Sequence, residues 1–196
     1  MKCLPMARSA VAFYQQGEAL AFSAHSRSAA LPRTYVGRWL RAAMLDRQDE
    51  RDRLVRTLNG GSATGWNDDE PAVVEAAAEL VLGCYFGPGE PDPEKAASLA
   101  HVVTVALGAI DRTLGEQDAD AVIRSAVGGP SAHFDALKPG DRHVLTTLVV
   151  GVASAMMDLD EAAVDELLRE AERIAFERGW HPPLVPRSIA RHGSGS

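Results

Sequence analysis

Apolar residues recur along most of the chain at the three- and four-residue spacing of one face of an α-helix. Residues 9–24 show this spacing imperfectly, because Gly17 interrupts it. Residues 34–58 keep it throughout and carry Asp and Arg pairs at four-residue spacing on the other face. The pattern therefore predicts one helix or two short ones in the first segment and one long helix in the second.

Five further helices are predicted after a run of Asn, Gly, Ser, Ala and Thr at residues 59–65, which stops the long helix. Each begins near an aspartate, a residue type that caps helix N-termini, and most end near a glycine. The aspartates are Asp68 or Asp69, Asp92, Asp118, Asp141 and Asp160. The helix that begins at Asp92 is apolar along most of its length, so we expect it to be central and buried.

The predicted architecture is an all-α helical bundle of about five to seven helices with an N-terminal helical arm. We expect a basic helical arm with a Gly-rich linker at residues 1–65 and an acidic helical bundle domain at residues 66–181. Residues 182–196 are expected to form an extended or disordered tail, because Pro182, Pro183 and Pro186 cannot continue a helix.

A 42-residue shift that places His101 on His143 aligns one predicted hairpin of helices with a later one. The other aligned pairs are Val102 with Val144, Thr104 with Thr146, Asp118 with Asp160, Ala121 with Ala163, and Val122 with Val164. A spacing of this size is that of helical-hairpin repeats. A duplicated helical hairpin and chance similarity between Ala- and Val-rich helices are the two interpretations.

The amino-acid composition agrees with a helical protein. Aromatic residues make up 6% of the chain and apolar ones 46%, so the apolar side chains are mostly Ala, Val and Leu, which suit close-packed helices. Two cysteines, Cys3 and Cys84, are too few for a disulfide framework and indicate a reducing compartment. No apolar run reaches the roughly 20 residues of a membrane-spanning helix, and no signal-peptide pattern occurs. We therefore expect a cytoplasmic protein with no membrane partner.

The net charge of −7 hides a difference in sign along the chain. Up to Leu58 there are ten Lys and Arg against five Asp and Glu, and after it there are ten against twenty-two. A basic segment followed by an acidic one indicates either a contact with nucleic acid or two surfaces of one protein that attract each other.

Candidate metal ligands are concentrated around a predicted turn at residues 139–140. The group consists of His133, Asp135, Asp141 and His143. These residue types bind zinc and related metals, but Asp141 is also explained as a helix cap. The Glu-x-x-His and His-Glu-x-x-His motifs of metal-binding helices are absent from the sequence.

Two further residues have side chains suited to catalysis. Cys84 lies on an apolar helix face, and we expect it to be a small buried side chain. His101 lies on the helix that is expected to be central, and we expect it to be a hydrogen-bonded histidine of the core. The sequence therefore predicts no catalytic residue, no cofactor and no metal, with an enzyme left as an open question.

Residues 10–14, Gly17 and residues 31–41 resemble the helix-turn-helix of transposase-type and homeodomain-like DNA-binding proteins. In those families a glycine ends the first helix, and an Arg-containing helix that closes in a Trp-Leu-Arg-like run enters the major groove. The resemblance implies that Arg33, Thr34, Tyr35 and Arg38 face DNA.

The hypothesis that the sequence favours is a non-catalytic interaction or regulatory protein. It would bind a protein partner, or a second copy of itself as a homodimer, through helical surfaces, because a long amphipathic arm needs tertiary or partner packing to be stable. The expected anchors are Trp39, Leu40, Met44, Leu54 and Leu58. A DNA-binding transcriptional regulator is the alternative, and a metal-dependent enzyme is the third hypothesis.

Overall fold

Helices account for 74% of the residues that the computed structural model describes, which are residues 30–61, 69–108, 114–129 and 131–186. This part of the chain contains eight helices and no strand, so the predicted all-α class is confirmed. The helices are α1 (Tyr35–Met44), α2 (Gln48–Gly61), α3 (Glu70–Phe86), α4 (Pro93–Gly108), α5 (Glu116–Ala126), α6 (Ala132–Ala136), α7 (Pro139–Met156) and α8 (Glu161–Glu177). Within the described ranges no helix has both the length and the apolar character needed to cross a membrane.

The long helix predicted for residues 34–58 is in fact two helices, α1 and α2, and the break lies at Asp46. The φ of Asp46 is 52°, in the left-handed region where helices commonly end. Its N–H donates to the carbonyl of Ala43, and the N–H of Arg47 donates to the carbonyl of Ala42 at 2.7 Å. These bonds provide donors for carbonyl groups at the end of α1 that would otherwise have no hydrogen-bond partner within the helix. The prediction was wrong because no Gly or Pro marks this helix end in the sequence.

A second aspartate, Asp158, ends α7 in the same way, with a φ of 53°. Its N–H donates to the carbonyl of Ala155 at 3.1 Å, and the N–H of Leu159 donates to that of Ser154 at 3.3 Å. Left-handed backbone is strained for a residue with a Cβ, and a carboxylate is unfavourable at the negative end of a helix dipole. We therefore expect Asp158→Gly to raise the free energy of unfolding by about 1 kcal/mol.

Urea unfolding of the full chain, followed by circular dichroism, measures this gain. The matched control is Asp158→Ala, which keeps the Cβ in the left-handed region and is expected to lower the stability instead. If glycine and alanine at residue 158 changed the stability equally, backbone strain would not be the cause.

The described residues divide into two units, and each is considered by itself. The first lies within residues 78–159, where α4 packs against α5 and α7, and α5 packs against α6 and α7. The second lies within residues 30–77 and 160–186, where α1 packs against α2 and α8. The boundary predicted after residue 65 lies outside the described residues and stays a prediction.

The interiors of the two units consist mainly of Val, Leu and Ala side chains. The largest fully buried ones of the first unit are Val81, Leu82, Leu99, Leu107, Ile123 and Leu145, and those of the second are Val36, Leu40, Val73, Val74 and Leu168. Burial of each such side chain stabilises the fold by about 1.5–3 kcal/mol. The Ala, Val and Leu side chains that dominate the composition therefore form the cores of packed helices, as the sequence predicted.

Helix α3, rather than α4, is the helix buried around most of its circumference. Its buried residues are Glu70, Ala72, Val73, Val74, Ala76, Ala77, Ala78, Val81, Leu82 and Tyr85. Helix α4 has an exposed face, on which Val105 is 65% exposed, so the predicted central position of α4 is wrong. The error arose because an apolar helix was assumed to be buried on every side.

The residues aligned by the 42-residue shift have different roles in the two hairpins. Asp160 is the N-cap of α8, and its Oδ1 accepts from the N–H of Ala163 at 2.8 Å. Asp118 lies inside the first turn of α5, and its Oδ2 accepts from the N–H of Gly115 at 2.7 Å. The two helices thus begin at different places relative to the aligned aspartates. Helix α6 lies between α5 and α7 along the chain.

Candidate functional site

A buried carboxylate, that of Glu172 on α8, holds the segment that leads into α1. Its Oε1 accepts hydrogen bonds from the N–H and the Oγ1 of Thr34, each at 2.7 Å. Its Oε2 accepts a bond from the N–H of Arg33 at 2.9 Å. Three donors therefore satisfy a carboxylate that is almost entirely removed from water, which is the condition for burying a charge at tolerable cost.

The same segment pairs with the chain that follows α8. The N–H of Tyr35 donates to the carbonyl of Pro183 at 3.0 Å, and the N–H of Val185 donates to the carbonyl of Arg33 at 2.8 Å. Thr34 and Leu184 form an antiparallel bridge between these two bonds. Residues 182–186, which were predicted to belong to a tail outside the bundle, are thus extended but belong to the second unit. Residues 187–196 lie outside the described part of the chain.

Gly37 allows α1 to approach Glu172 closely. A Cβ at residue 37 would lie 2.6 Å from Oε1 of Glu172 and 2.9 Å from Oγ1 of Thr34. Both distances are shorter than real side chains tolerate, and both partners are buried. The N–H of Gly37 also donates to Oγ1 of Thr34 at 2.9 Å, so Thr34 caps α1 while it binds Glu172. The close contact between α1 and α8 at this point therefore depends on Gly37, Thr34 and Glu172 together.

One turn further along α1, the buried side chain of Arg41 lies at the centre of an ion cluster. Its Nε donates to Oδ1 of Asp165 on α8, and its Nη2 donates to Oε1 of Glu161. Glu50 on α2 lies 3.8 Å from Nη1 of Arg41, and Arg47 donates to Oε2 of Glu161 at 2.5 Å. The cluster thus joins α1, α2 and α8 with two guanidinium groups and three carboxylates.

The charged groups of this cluster shift one another's pKa values. Burial alone would lower the pKa of Arg41, but its bonds to Asp165 and Glu161 outweigh burial and raise it. Burial alone would raise the pKa of Glu161, but Arg41 and Arg47 outweigh burial and hold the pKa of that carboxyl below its ordinary value. Because folding depresses this pKa, Glu161 contributes stability above the ordinary pKa of a glutamate and loses it as the pH falls.

An open groove with a volume of about 580 Å³ lies on the second unit beside Glu172. Helix α8 supplies Arg169, Arg173 and Phe176 to its lining, and the paired segments supply Arg33 and Leu184. We call these five residues the arginine groove.

The first unit has a different exposed surface, on α4. Its exposed residues are Ala97, Ser98, His101, Val102, Val105 and Gly108, which we call the α4 face. From Ala96 to Gly108 the sequence contains no Asp, Glu, Lys or Arg. Exposed helix faces of this length normally carry charges, so the α4 face is unusual.

Two of the five residues expected to anchor a partner are buried within the chain. Leu40 is fully buried and Leu54 is buried, whereas Trp39 and Met44 are half-buried. The side chain of Leu58 lies outside the described part. Leu40 and Leu54 therefore do not offer a surface to another molecule. Leu40 lies on α1, which packs against α2 and α8, and Leu54 lies on α2, which packs against α1.

The residues expected to face DNA lie in different surroundings. Thr34 is fully buried against Glu172, so its side chain is not exposed for a DNA contact. Arg38 is half-buried, its Nε donates to the carbonyl of Pro32 at 2.7 Å, and burial lowers its pKa. Tyr35 is half-buried and Arg33 is exposed. Residues 10–14 and Gly17 lie outside the described residues, and DNA binding stays a prediction.

The four candidate metal ligands do not come together. Across residues 30–61, 69–108, 114–129 and 131–186, no group of three or more His, Cys, Asp or Glu side chains is placed to hold a metal ion. His133 instead bonds through Nε2 to Oδ1 of Asp118 at 2.7 Å. Asp135 is exposed, whereas Asp141 and His143 are half-buried on α7, and burial lowers the pKa of His143.

His101 and Cys84 are both exposed, so their expected burial is wrong. The Nδ1 of His101 lies 2.6 Å from Oε1 of Glu116, at the start of α5. Both residues were placed inside because they belong to apolar helices, yet each lies on a face of its helix that the described residues leave open.

The sequence reasoning missed the buried charges Arg41, Asp165 and Glu172. A signal for two of them exists: Asp165 and Glu172 are seven residues apart, on the same face of α8 as the buried Leu168. Charged residues within an apolar stripe indicate buried ion pairs or hydrogen bonds.

Known proteins provide no further guide to these sites. Comparison of the chain with protein-family models, with curated proteins and with solved structures found no match. The contacts, exposure and charges of the described residues are therefore the basis for assigning a function.

Proposed function

We propose that this protein is a non-catalytic interaction protein that forms a homodimer through the α4 face. The observation that supports the proposal is the 65% exposure of Val105 on a helix surface without charged side chains. Exposed apolar surface of this kind commonly marks a contact with another protein. Val102, one turn before Val105, extends the same surface.

A second copy of the chain is the partner that the charges favour. The net charge of −7 makes two copies repel each other over most of their surfaces. In a twofold dimer, residues near the symmetry axis face their own copies, so a charged residue there would oppose a like charge. The α4 face has no Asp, Glu, Lys or Arg, and its one ionisable residue, His101, is bonded to Glu116 of α5. Ala97, Ser98 and Gly108 are small enough for two helices to approach closely.

The test is the mass of the full chain in solution, measured by light scattering and sedimentation. We expect a dimer, and we expect Val105→Asp to weaken its association about 10- to 100-fold, because the two aspartates would lie near each other without charge partners. The matched control is Ala162→Asp, which adds the same charge at an exposed position of α8 and is expected to leave the mass unchanged.

Two results would contradict the proposal. One is a wild-type chain that remains a monomer at all accessible concentrations. The other is a dimer that Val105→Asp leaves intact, which would move the contact away from α4.

A further inference from the structure

The arginine groove combines an apolar wall with positive charge. Leu184 is 48% exposed, and Phe176 is half-buried at the C-terminal end of α8. Arg169, Arg173 and Phe176 are spaced by four and three residues, so they lie along one side of α8. Arg33 comes from the segment that pairs with residues 183–185. A molecule in the groove would therefore meet apolar atoms and guanidinium groups together.

The guanidinium groups of this groove differ in their hydrogen-bond and ion-pair partners. Arg173 bonds to Glu170 at 2.8 Å and also to Glu177, so its charge is neutralised on its own helix. Arg169 donates through Nε to the carbonyl of Asp165 at 3.2 Å. Among the described residues, no carboxylate lies within ion-pair distance of Arg33 or Arg169. These two guanidinium groups therefore keep donors available for an anion.

Two acidic side chains, those of Glu172 and Glu177, also line the groove, and Glu177 is paired with Arg173. The oxygens of Glu172 already accept three bonds from Arg33 and Thr34 inside the fold. The guanidinium groups of Arg33 and Arg169, which have no carboxylate partner in the described part of the chain, favour a partner that presents carboxylates locally.

We propose that the arginine groove binds an acidic segment of a partner protein. The carboxylates of that segment pair with Arg33 and Arg169, and a leucine or phenylalanine beside them packs against Phe176 and Leu184. Paired guanidinium and carboxylate groups form strong, directional hydrogen bonds, and the apolar contact adds affinity that a simple inorganic anion lacks. The backbone of duplex DNA offers phosphates but no apolar group of the size of a leucine or phenylalanine side chain for the apolar wall.

This inference concerns the second unit and does not rest on dimerisation through α4. Variants of Val105 test the dimer, and variants of the groove test the peptide site. The failure of one proposal is therefore distinguishable from the failure of the other.

The experiment uses the full chain and a fluorescein-labelled peptide of Glu and Asp residues with Leu or Phe at every third position. Fluorescence anisotropy measures binding at low and moderate salt. We expect saturable binding that weakens with salt, and we expect Arg33→Ala/Arg169→Ala to weaken it about tenfold or more. Leu184→Asp, at an exposed position, is expected to weaken it without affecting folding.

Matched controls separate the groove from general attraction to basic residues. Arg53→Ala removes an exposed arginine of α2 and is expected to leave the affinity unchanged. A peptide with Ser in place of Leu and Phe is expected to bind about tenfold more weakly. Thermal unfolding of each variant verifies that the fold is retained.

Three outcomes would overturn the proposal. The first is no binding of the acidic peptide, and the second is an equal loss for Arg53→Ala and for the groove variants. The third is tighter binding of duplex DNA that depends on Arg33 and Arg169, which would make the groove a nucleic-acid site.

Discussion

Replacement of Arg41 by Met is expected to lower the free energy of unfolding by about 3–5 kcal/mol. The side chains of Arg41 and Asp165 are 3% and 6% exposed, so the substitution leaves a buried carboxylate without its counter-charge. Methionine fills most of the same volume, so the loss comes mainly from the uncompensated charge. Urea unfolding of the full chain measures the effect.

Arg47 provides the control, because it bonds to Glu161 in the same cluster but its side chain is 40% exposed. Water screens this ion pair, so Arg47→Met is expected to cost less than about 1 kcal/mol. Similar losses for the two variants would mean that burial does not decide the strength of the cluster. A further test is Asp165→Asn in the Arg41→Met background, which is expected to recover part of the stability.

The second large effect is expected at Glu172, where Gln replaces a carboxylate that accepts three hydrogen bonds. An amide keeps one acceptor oxygen, but its NH₂ group then faces a donor that has lost its partner. We expect Glu172→Gln to lower the free energy of unfolding by about 2–3 kcal/mol. Chemical unfolding and amide hydrogen exchange at Arg33 and Thr34 report the loss.

Glu177→Gln is the matched control on the same helix, since the side chain of Glu177 is exposed and its ion pair with Arg173 lies in water. Its expected cost is less than about 0.5 kcal/mol. If Glu172→Gln were as mild as this control, the hydrogen bonds to Arg33 and Thr34 would not hold the segment before α1.

Helix formation was predictable wherever apolar spacing and a cap coincide. The last helix shows this: Asp160 caps it, and Gly179, with a φ of 88°, follows its end as predicted. The break at Asp46 was not predictable, because aspartate occurs at many positions that do not end a helix. Periodicity therefore identifies helices, but it does not identify every end.

The candidate sites were harder to predict than the helices. Periodicity assigns charged residues to the outside, so Arg41, Asp165 and Glu172 were overlooked, although their contacts link α1 to α8. It also assigns apolar residues to the inside, so the exposure of Val105 was missed. Both errors have the same origin: a sequence shows what a residue prefers, whereas the packing of distant segments decides what surrounds it.

The bonds between the segment before α1 and α8 also determine the order in which the protein can be assembled. Thr34 and Glu172 are 138 positions apart, and Arg41 and Asp165 are 124 apart. The described part of the first unit, residues 78–159, is continuous in sequence, so the contacts within it can form once residue 159 has been synthesised. The second unit must wait for α8, and closing so long a loop costs entropy before any contact repays it. Until then Arg41 and Thr34 lack their carboxylate partners, so the arrival of α8 is the step that completes the fold.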